Sequence, residues 1–382
     1  MDRRVALLDL TRLFLRLGTV AFGGPAAHIA MFREEVVVRR RWMTEQRFLD
    51  LMGATNLIPG PNSTEMAIHI GCERGGWRGL IVAGVSFILP ASILVGVIAW
   101  AYVEFQEAPA LEWILYGIKP VVVAIIVNAL FGLGPTAFKT WRLMALGLGG
   151  LGLFLAGVNE LAILFGGGLL IAIIRLSRSR PGGGSGVGGV FAPTFLIHAA
   201  THAAVALPGL GQIFITFARF GAVIYGSGYV LLPFMNNELV GRLGWLTAPQ
   251  LLDAIAIGQV TPGPVFTTAT FVGYLLAGVP GAVVATLAIF LPSFAFVGAL
   301  NPLVRRIRDF DWAAGFLDGV NVAALALMAG AVIQVRASAM IDLPTTIIAV
   351  VALLALRLRL NATWLILGAA VAGAAIQLAS GR

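Results

Sequence analysis

Apolar positions in this chain run in long unbroken stretches, not in the alternation or the narrow stripe of a water-soluble fold. Runs over 80–102, 118–133, 280–300 and 313–335 approach or reach the roughly 20 residues a helix needs to cross a bilayer. The pattern predicts full spans near 79–103, 113–134, 143–158, 161–175, 191–210, 279–303, 313–335, 343–356 and 361–379. Four further apolar stretches are interrupted. Residues 5–32 break at Gly23-Gly24-Pro25 and residues 48–71 at Pro59-Gly60-Pro61; residues 213–234 and 251–276 repeat the arrangement, the latter around Pro262-Gly263-Pro264. Backbone groups freed by such a break are tolerated in a membrane only inside protein or beside a water-filled cavity. Basic residues flank both arms of the first two stretches, so dipping hairpins are predicted there and not spans. The predicted class is an all-α polytopic membrane protein with about nine to twelve membrane helices.

The chain is also duplicated. An offset of 203 residues pairs Arg16/Arg219, Gly18/Gly221, Glu35/Glu238, Trp42/Trp245, Asp50/Asp253, Thr64/Thr267 and both proline-glycine-proline triplets. One residue is then lost, and an offset of 202 pairs Gly79/Gly281, Pro90/Pro292, Gly117/Gly319 and Asn159/Asn361. This register defines two structural repeats. They are assigned to 1–176 and 211–382, with 177–210 as a glycine-rich linker plus a connecting helix. Lys and Arg cluster at 33–47, at Arg74 and Arg78, at Lys139 and Arg142, and at 175–180. The second half has no Lys or Arg from 243 to 304, then Arg305-Arg306-Arg308 where the first half carries its acidic loop at 104–112. Cytoplasmic loops favour Lys and Arg, so the repeats are expected to run antiparallel through the membrane, with 191–210 as the extra crossing.

Composition narrows the class further. Hydrophobic residues make up 59% and charged residues 12%, where soluble domains hold about a quarter charged. The net charge of +8 follows the loops, so a lipid bilayer and not nucleic acid is the expected partner. A single cysteine, Cys72, excludes an internal disulfide and any paired-cysteine metal or redox site. Asp9, Arg12 and Arg16 interrupt the first apolar segment, so no cleavable leader is expected.

The breaks hold the candidate chemistry. Proline at a first helical position opens a helix, so Pro61 and Pro264 are read as opening half-helices 62–72 and 265–276. Each start presents free N–H groups and a positive dipole end, suited to an anion. Asn62, Ser63, Thr64, Thr267 and Thr268 add side-chain donors there, and Asn56 and Gln259 lie three residues before each break. Two such half-helices facing each other would suit a tetrahedral oxyanion; helix capping and tight packing are the alternative. Arg16 and Arg219 sit within apolar segments, where arginine is costly and is a functional candidate. They would contact the anion, pair with Glu35 and Glu238, or snorkel. Lys119 stands opposite Asn321 in the repeat and has the same choice. Glu65, His28 and Glu238 are candidates for proton coupling; Glu65 also has ordinary capping geometry. His198 and His202, four apart, read as the polar face of a linker helix, with no metal expected. No nucleophile set, phosphate loop or redox motif is present, so neither an enzyme nor a cofactor is predicted.

Segments 16–29, 58–65 and 76–79, with Tyr225-Gly226-Ser227-Gly228, Leu232-Pro233, Glu238 and 260–264, resemble the chromate efflux transporter family in its long, two-domain form. The resemblance implies export of chromate from the bacterial cytoplasm across the inner membrane, driven by the proton motive force and giving chromate resistance. Sulfate, a similar dianion, is the implied competitor. In the second half Ser227 and Gly228 replace Gly24 and Pro25, and Leu231 replaces His28, so the family roles carry over residue by residue only in the first half. An anion channel of the same architecture is the first alternative. An intramembrane enzyme acting on phosphorylated lipids is the second. Small-residue runs such as 147–152 permit close helix contacts, within the chain or in a homodimer.

Overall fold

The computed structural model describes residues 3–22, 24–56, 58–105, 108–178, 208–225, 228–300 and 311–380. Residues 191–207 of the predicted crossing, 179–190 of the linker before it, Gly23, His198, His202, Ser227 and Arg305-Arg306-Arg308 lie outside these residues. The first half comprises α1 (Arg3–Val20), α2 (Gly24–Arg33), α3 (Glu45–Thr55), α4 (Asn62–Glu104), α5 (Pro109–Ala137), α6 (Trp141–Leu155) and α7 (Glu160–Arg178). The second repeats the order with α8 (Leu210–Val223), α9 (Leu231–Met235), α10 (Ala248–Val260), α11 (Thr268–Leu300), α12 (Asp311–Ala339), α13 (Leu343–Arg357) and α14 (Ala362–Ser380). Among the described residues, 6 helices are long and apolar enough to cross a membrane, within α4, α5, α7, α11, α12 and α14. Three shorter apolar helices, α6, α8 and α13, accompany them. The protein is an all-α, multi-pass membrane protein.

Local sequence sets the helix ends. Thr44 and Thr247 stand at matched positions and cap α3 and α10 by accepting from the backbone N–H of Arg47 and Gln250. Upstream of each, a wide turn closes an i to i+5 hydrogen bond, Arg40 N to Glu35 O at 3.0 Å and Leu243 N to Glu238 O at 2.8 Å. Nothing in the residue pattern announced these π turns, which recur at functional places in other helices.

Both long helices fold back on themselves. Gly76 (φ 59, ψ −147) and Gly278 (φ 60, ψ −148) take a backbone conformation suited to glycine. A Cβ on Gly71 would stand 2.3 Å from Gly79 O, and one on Gly273 would stand 2.3 Å from Gly281 O. Eight residues of straight helix would hold those atoms about 12 Å apart, so each of α4 and α11 is a tight hairpin of a short and a long arm. Arg47, at the start of α3, pairs with Glu73, at the end of the short arm of α4. The hairpin from α3 through the break to that arm therefore begins and ends on one side.

The breaks lie where the halves interlock. Gly60 N donates to Ile224 O at 2.7 Å, and Gly263 N donates to Ala21 O at 2.9 Å. Residues 21 and 224 are themselves 203 apart, so each half satisfies the broken backbone of the other by the same bond. Gly60 abuts Ser293 and Gly263 abuts Ala91, residues along the long arms of α11 and α4. Farther out, α5 packs on α13 and α14, while α12 packs on α6 and α7. Asp318, two turns into α12, accepts from Lys139, just past α5, at 3.0 Å and from Arg175, in the last turns of α7.

The prolines stand one place earlier than expected. Pro61 (φ −76) and Pro264 (φ −70) occupy N-cap positions, not the first helical position. Asn62 is thus the first helical residue of α4, and in the second half a single 3-10 turn, Val265–Thr267, precedes α11.

Candidate functional site

A cavity of about 1080 Å³ opens beside the first break. Its inner end is formed by Pro25, Asn56, Asn62 and Tyr225; α5 contributes Asn128 and Thr136, and α12 contributes Asp318 and Asn321. Its outer rim holds Lys139, Arg359 and Asn361, and Ile125, Ala324, Leu325 and Met328 supply an apolar wall. Five asparagines therefore face one space. Asn56 and Asn62, the last and first residues around the break, are joined by Asn62 Nδ2 donating to Asn56 Oδ1 at 3.1 Å. That bond leaves Asn62 Oδ1 buried without a protein partner among the described residues. Asn361 accepts from the backbone N–H of Thr363 at 2.9 Å and starts α14.

Charge at this cavity is unbalanced. Lys139 shares Asp318 with Arg175. Arg359 has no ion pair among the described residues. Two lining cations thus stand against one lining carboxylate, itself already engaged. Amide groups that carry no net charge and a modest cationic surplus can take a hydrated anion into a membrane without leaving a bare charge behind when it departs.

Only part of the residue set anticipated from sequence reaches this space. Asn56, Asn62 and Pro25 line it, and Gly24 turns the chain there with φ 76. Ser63 and Thr64 are buried behind it, and Thr64 Oγ1 has no protein partner among the described residues. In the second half the hydroxyls turn to their own backbone, Thr267 donating to Pro264 O and Thr268 to Val265 O, both at 2.8 Å. Gln259 does not line the cavity, and its Nε2 is buried without a protein partner among the described residues.

The charged candidates are paired elsewhere. Arg16 reaches Glu35 at 3.6 Å, and Glu35 also receives Arg39 at 3.2 Å and Arg40. Arg219 reaches Glu238 at 3.4 Å, and Arg242 Nε donates to the same carboxylate at 2.6 Å. Lys119 meets Asp253 at 3.2 Å, and Tyr102 donates to the other oxygen of Asp253 at 2.9 Å. Asp253 is buried, and its partners come from α4 and α5 of the other half.

Two buried polar groups remain. Glu65 is fully buried, and it does not cap its helix. Its Oε1 accepts from Ser293 at 3.2 Å, and its Oε2 has no protein partner among the described residues. His28 Nε2 donates to Ala21 O at 3.0 Å, with its ring edge-on to Phe87 and Nδ1 unpartnered. Asn128, Lys139, Tyr225, Asn321, Arg359 and Asn361 were not singled out as site residues from sequence. Lys139, Arg359 and Asn361, just outside helix ends, look like ordinary loop or capping residues, and Asn128 and Asn321 are single polar positions inside α5 and α12.

A multi-pass helical scaffold, broken twice within apolar segments and hollowed beside one break, defines a membrane transport protein. Its sequence says which kind: the chain belongs to the chromate transporter family, whose model matches residues 8–172 and again residues 211–374. It is 33% identical over 376 residues to the chromate transport protein of Cupriavidus metallidurans, covering 96% of this chain and 92% of that one. It is 31% identical over 379 residues to a probable chromate transport protein of Synechococcus elongatus, covering 96% and 95%. A chromate transport protein of Pseudomonas aeruginosa is 31% identical over 329 residues, covering 84% of this chain and 79% of its own. No solved structure matches.

Proposed function

We propose that this protein exports chromate from the cytoplasm, drawing on the proton motive force, and that sulfate competes for the same cavity. The observation that carries this reading is the asparagine-lined cavity that reaches the Pro59-Gly60-Pro61 break with a cationic rim. A tetrahedral dianion there would take neutral amide donors from several helices and the positive end of α4. Its charge is then spread over many donors, as a low-dielectric site requires.

We take the two repeats, 1–176 and 211–382 joined by 177–210, to be inverted. Asp318, near the start of α12, meets residues at the ends of α5 and α7. α5 thus finishes where its repeat counterpart α12 begins, as antiparallel repeats require. Lys139 and Arg359, from loops after α5 and α13, rim one cavity, and the preference of basic loops for the cytoplasm places that rim inside the cell. Rocking of one repeat against the other about the interlocked breaks would expose the anion to either side.

Glu65 is the coupling group in this scheme. A buried carboxyl within a membrane helix can relay a proton, and in this scheme Glu65 exchanges it as the interface closes and opens. Its place, against Ser293 at the junction of the two halves, ties that proton to the rocking motion.

Purified full-length protein in liposomes tests the proposal. Chromate should move uphill under an imposed pH gradient, with saturation and with competition by sulfate. Absence of chromate and sulfate movement under either polarity of gradient overturns the carrier reading. Flux that never runs uphill and hardly saturates would instead identify a channel.

A further inference from the structure

The two halves end their sixth and thirteenth helices in the same way but with different residues. After α6, Gly157 takes φ 83, Gly157 N bonds Phe154 O at 3.0 Å and Val158 N bonds Leu153 O at 3.0 Å. After α13, Arg359 takes φ 66, Arg359 N bonds Leu356 O at 3.0 Å and Leu360 N bonds Ala355 O at 3.1 Å. The residue numbers differ throughout by 202, so this is one Schellman cap made twice. That cap calls for glycine, because a side chain with positive φ crowds its own backbone. The first half obeys and the second half does not. A strained non-glycine residue persists only where its side chain gives something back.

What Arg359 gives back is visible in the cavity. Arg359 is an exposed residue that lines it and has no ion pair among the described residues. Lys139, the other cation of the rim, is held by Asp318 at 3.0 Å. Topological charge alone is a weak reason for an arginine at this one position. Arg357, two residues earlier, already places a cation in the last turn of α13, over the ring of Phe131 at 5.1 Å. Arg41 (φ 50) is the other non-glycine residue with positive φ and also stands opposite a glycine, Gly244. It belongs to the Arg39-Arg40-Arg41 run and does not line the cavity.

We propose that Arg359 is the residue that first engages the transported oxyanion, holding two of its oxygens with one planar guanidinium at the rim before the anion passes to the asparagines. This deepens the chromate reading above and rests on it. A planar fork matches a pair of tetrahedral oxygens, which a lysine ammonium cannot do.

The test compares full-length wild type with Arg359→Gly, Arg359→Lys and Gly157→Arg in the liposome assay, alongside melting of each protein in detergent. Arg359→Gly should melt higher by about 1–2 °C, because glycine relieves the cap, yet raise KM for chromate roughly tenfold or more through loss of a charge-assisted contact. Arg359→Lys should recover only part of that affinity. Gly157→Arg should melt lower with KM unchanged. Adding Leu358→Arg to Arg359→Gly restores the charge of the loop without the cavity contact, so rescue of KM by that change assigns Arg359 to topology and overturns the proposal. An unchanged KM in Arg359→Gly also overturns it. If wild-type protein moves none of chromate, sulfate or molybdate, the oxyanion reading falls first, and this assignment falls with it.

Discussion

Lys119 and Asp253 clip the two halves together with a charge pair deep in the protein. Nζ of Lys119 lies 3.2 Å from Asp253, their side chains are 19% and 3% exposed, and the second carboxylate oxygen takes only Tyr102 at 2.9 Å. Removing one member of a buried pair costs about 3–5 kcal/mol, because the survivor is left uncompensated. The costs here are unequal. In Lys119→Met the buried carboxylate keeps one neutral donor and has no route to water, so about 3 kcal/mol is expected, more than a hundredfold in the folding constant. In Asp253→Asn the stranded ammonium sits on a flexible stem that is part exposed and can turn to water, so the loss should be smaller. The double variant Lys119→Met/Asp253→Asn leaves Tyr102 an acceptor and no stray charge, and should return to within about 1 kcal/mol of wild type. Thermal unfolding of the four full-length proteins in detergent closes the cycle, and chromate uptake by the same preparations completes it. Zero coupling between the two substitutions would refute the pair. Lys119→Met that is stable but transport-dead would instead place the lysine on the anion.

Three further outcomes follow from the geometry. Glu65→Gln keeps the volume and an acceptor for Ser293, so abundance should hold while uphill uptake under a pH gradient is lost and downhill exchange survives; intact gradient-driven uptake removes Glu65 from coupling. Gly117→Ala would put a Cβ 1.8 Å from the backbone oxygen of Ala369, with nothing within 4 Å of the same change at Gly149; the first should lose about 1–3 kcal/mol by overpacking and the second nothing, read as melting temperature. Arg16→Ala removes a side chain that is 58% exposed from a carboxylate that keeps two other arginines. Stability should change by less than about 1 kcal/mol and transport should persist; its loss at normal abundance would assign Arg16 to the substrate.

Long-range periodicity made the scaffold readable. The spans, the interruptions at residues 59–61 and 262–264, and the pairing of the halves are encoded in runs of apolar residues and in glycine and proline, whose backbone limits are local. Partner choice is not local. For Arg16 and Arg219 the sequence leaves anion contact, pairing with Glu35 and Glu238, and snorkelling open, and only the folded chain selects the carboxylates of the returning arm. Asp253 finds Lys119 only because α10 of one half lies on α5 of the other. The cavity was hidden for the same reason, since Asn128, Asn321 and Asn361 sit on three helices far apart in sequence. One signal was present and unread: aligning the halves at offset 202 sets Arg359 against Gly157, and a glycine just past a helix is the position where a substitution most needs a reason.

Duplication also separates architecture from chemistry. Residues identical in the halves, such as Gly18/Gly221, Gly79/Gly281 and Gly117/Gly319, are those whose Cβ would strike backbone across a helix contact. They specify the shared shape, and the shape is reciprocal down to the bonds at Gly60 and Gly263. Among the many positions that differ between the halves, four stand where a guest or a proton would be: Glu65 against Thr268, Ser293 against Ala91, Asn321 against Lys119, Arg359 against Gly157. A two-fold scaffold with matching chemistry would offer both faces of the membrane the same site, and nothing in it would favour one direction of coupling. On the proposed inverted arrangement, the carboxyl beside the first break and the cavity cation Arg359 in the second repeat would give the two-fold scaffold an inside and an outside. If that division holds, restoring symmetry at Glu65 with Glu65→Thr should spare the fold, whose packing the matched glycines fix, while abolishing uptake driven by a pH gradient.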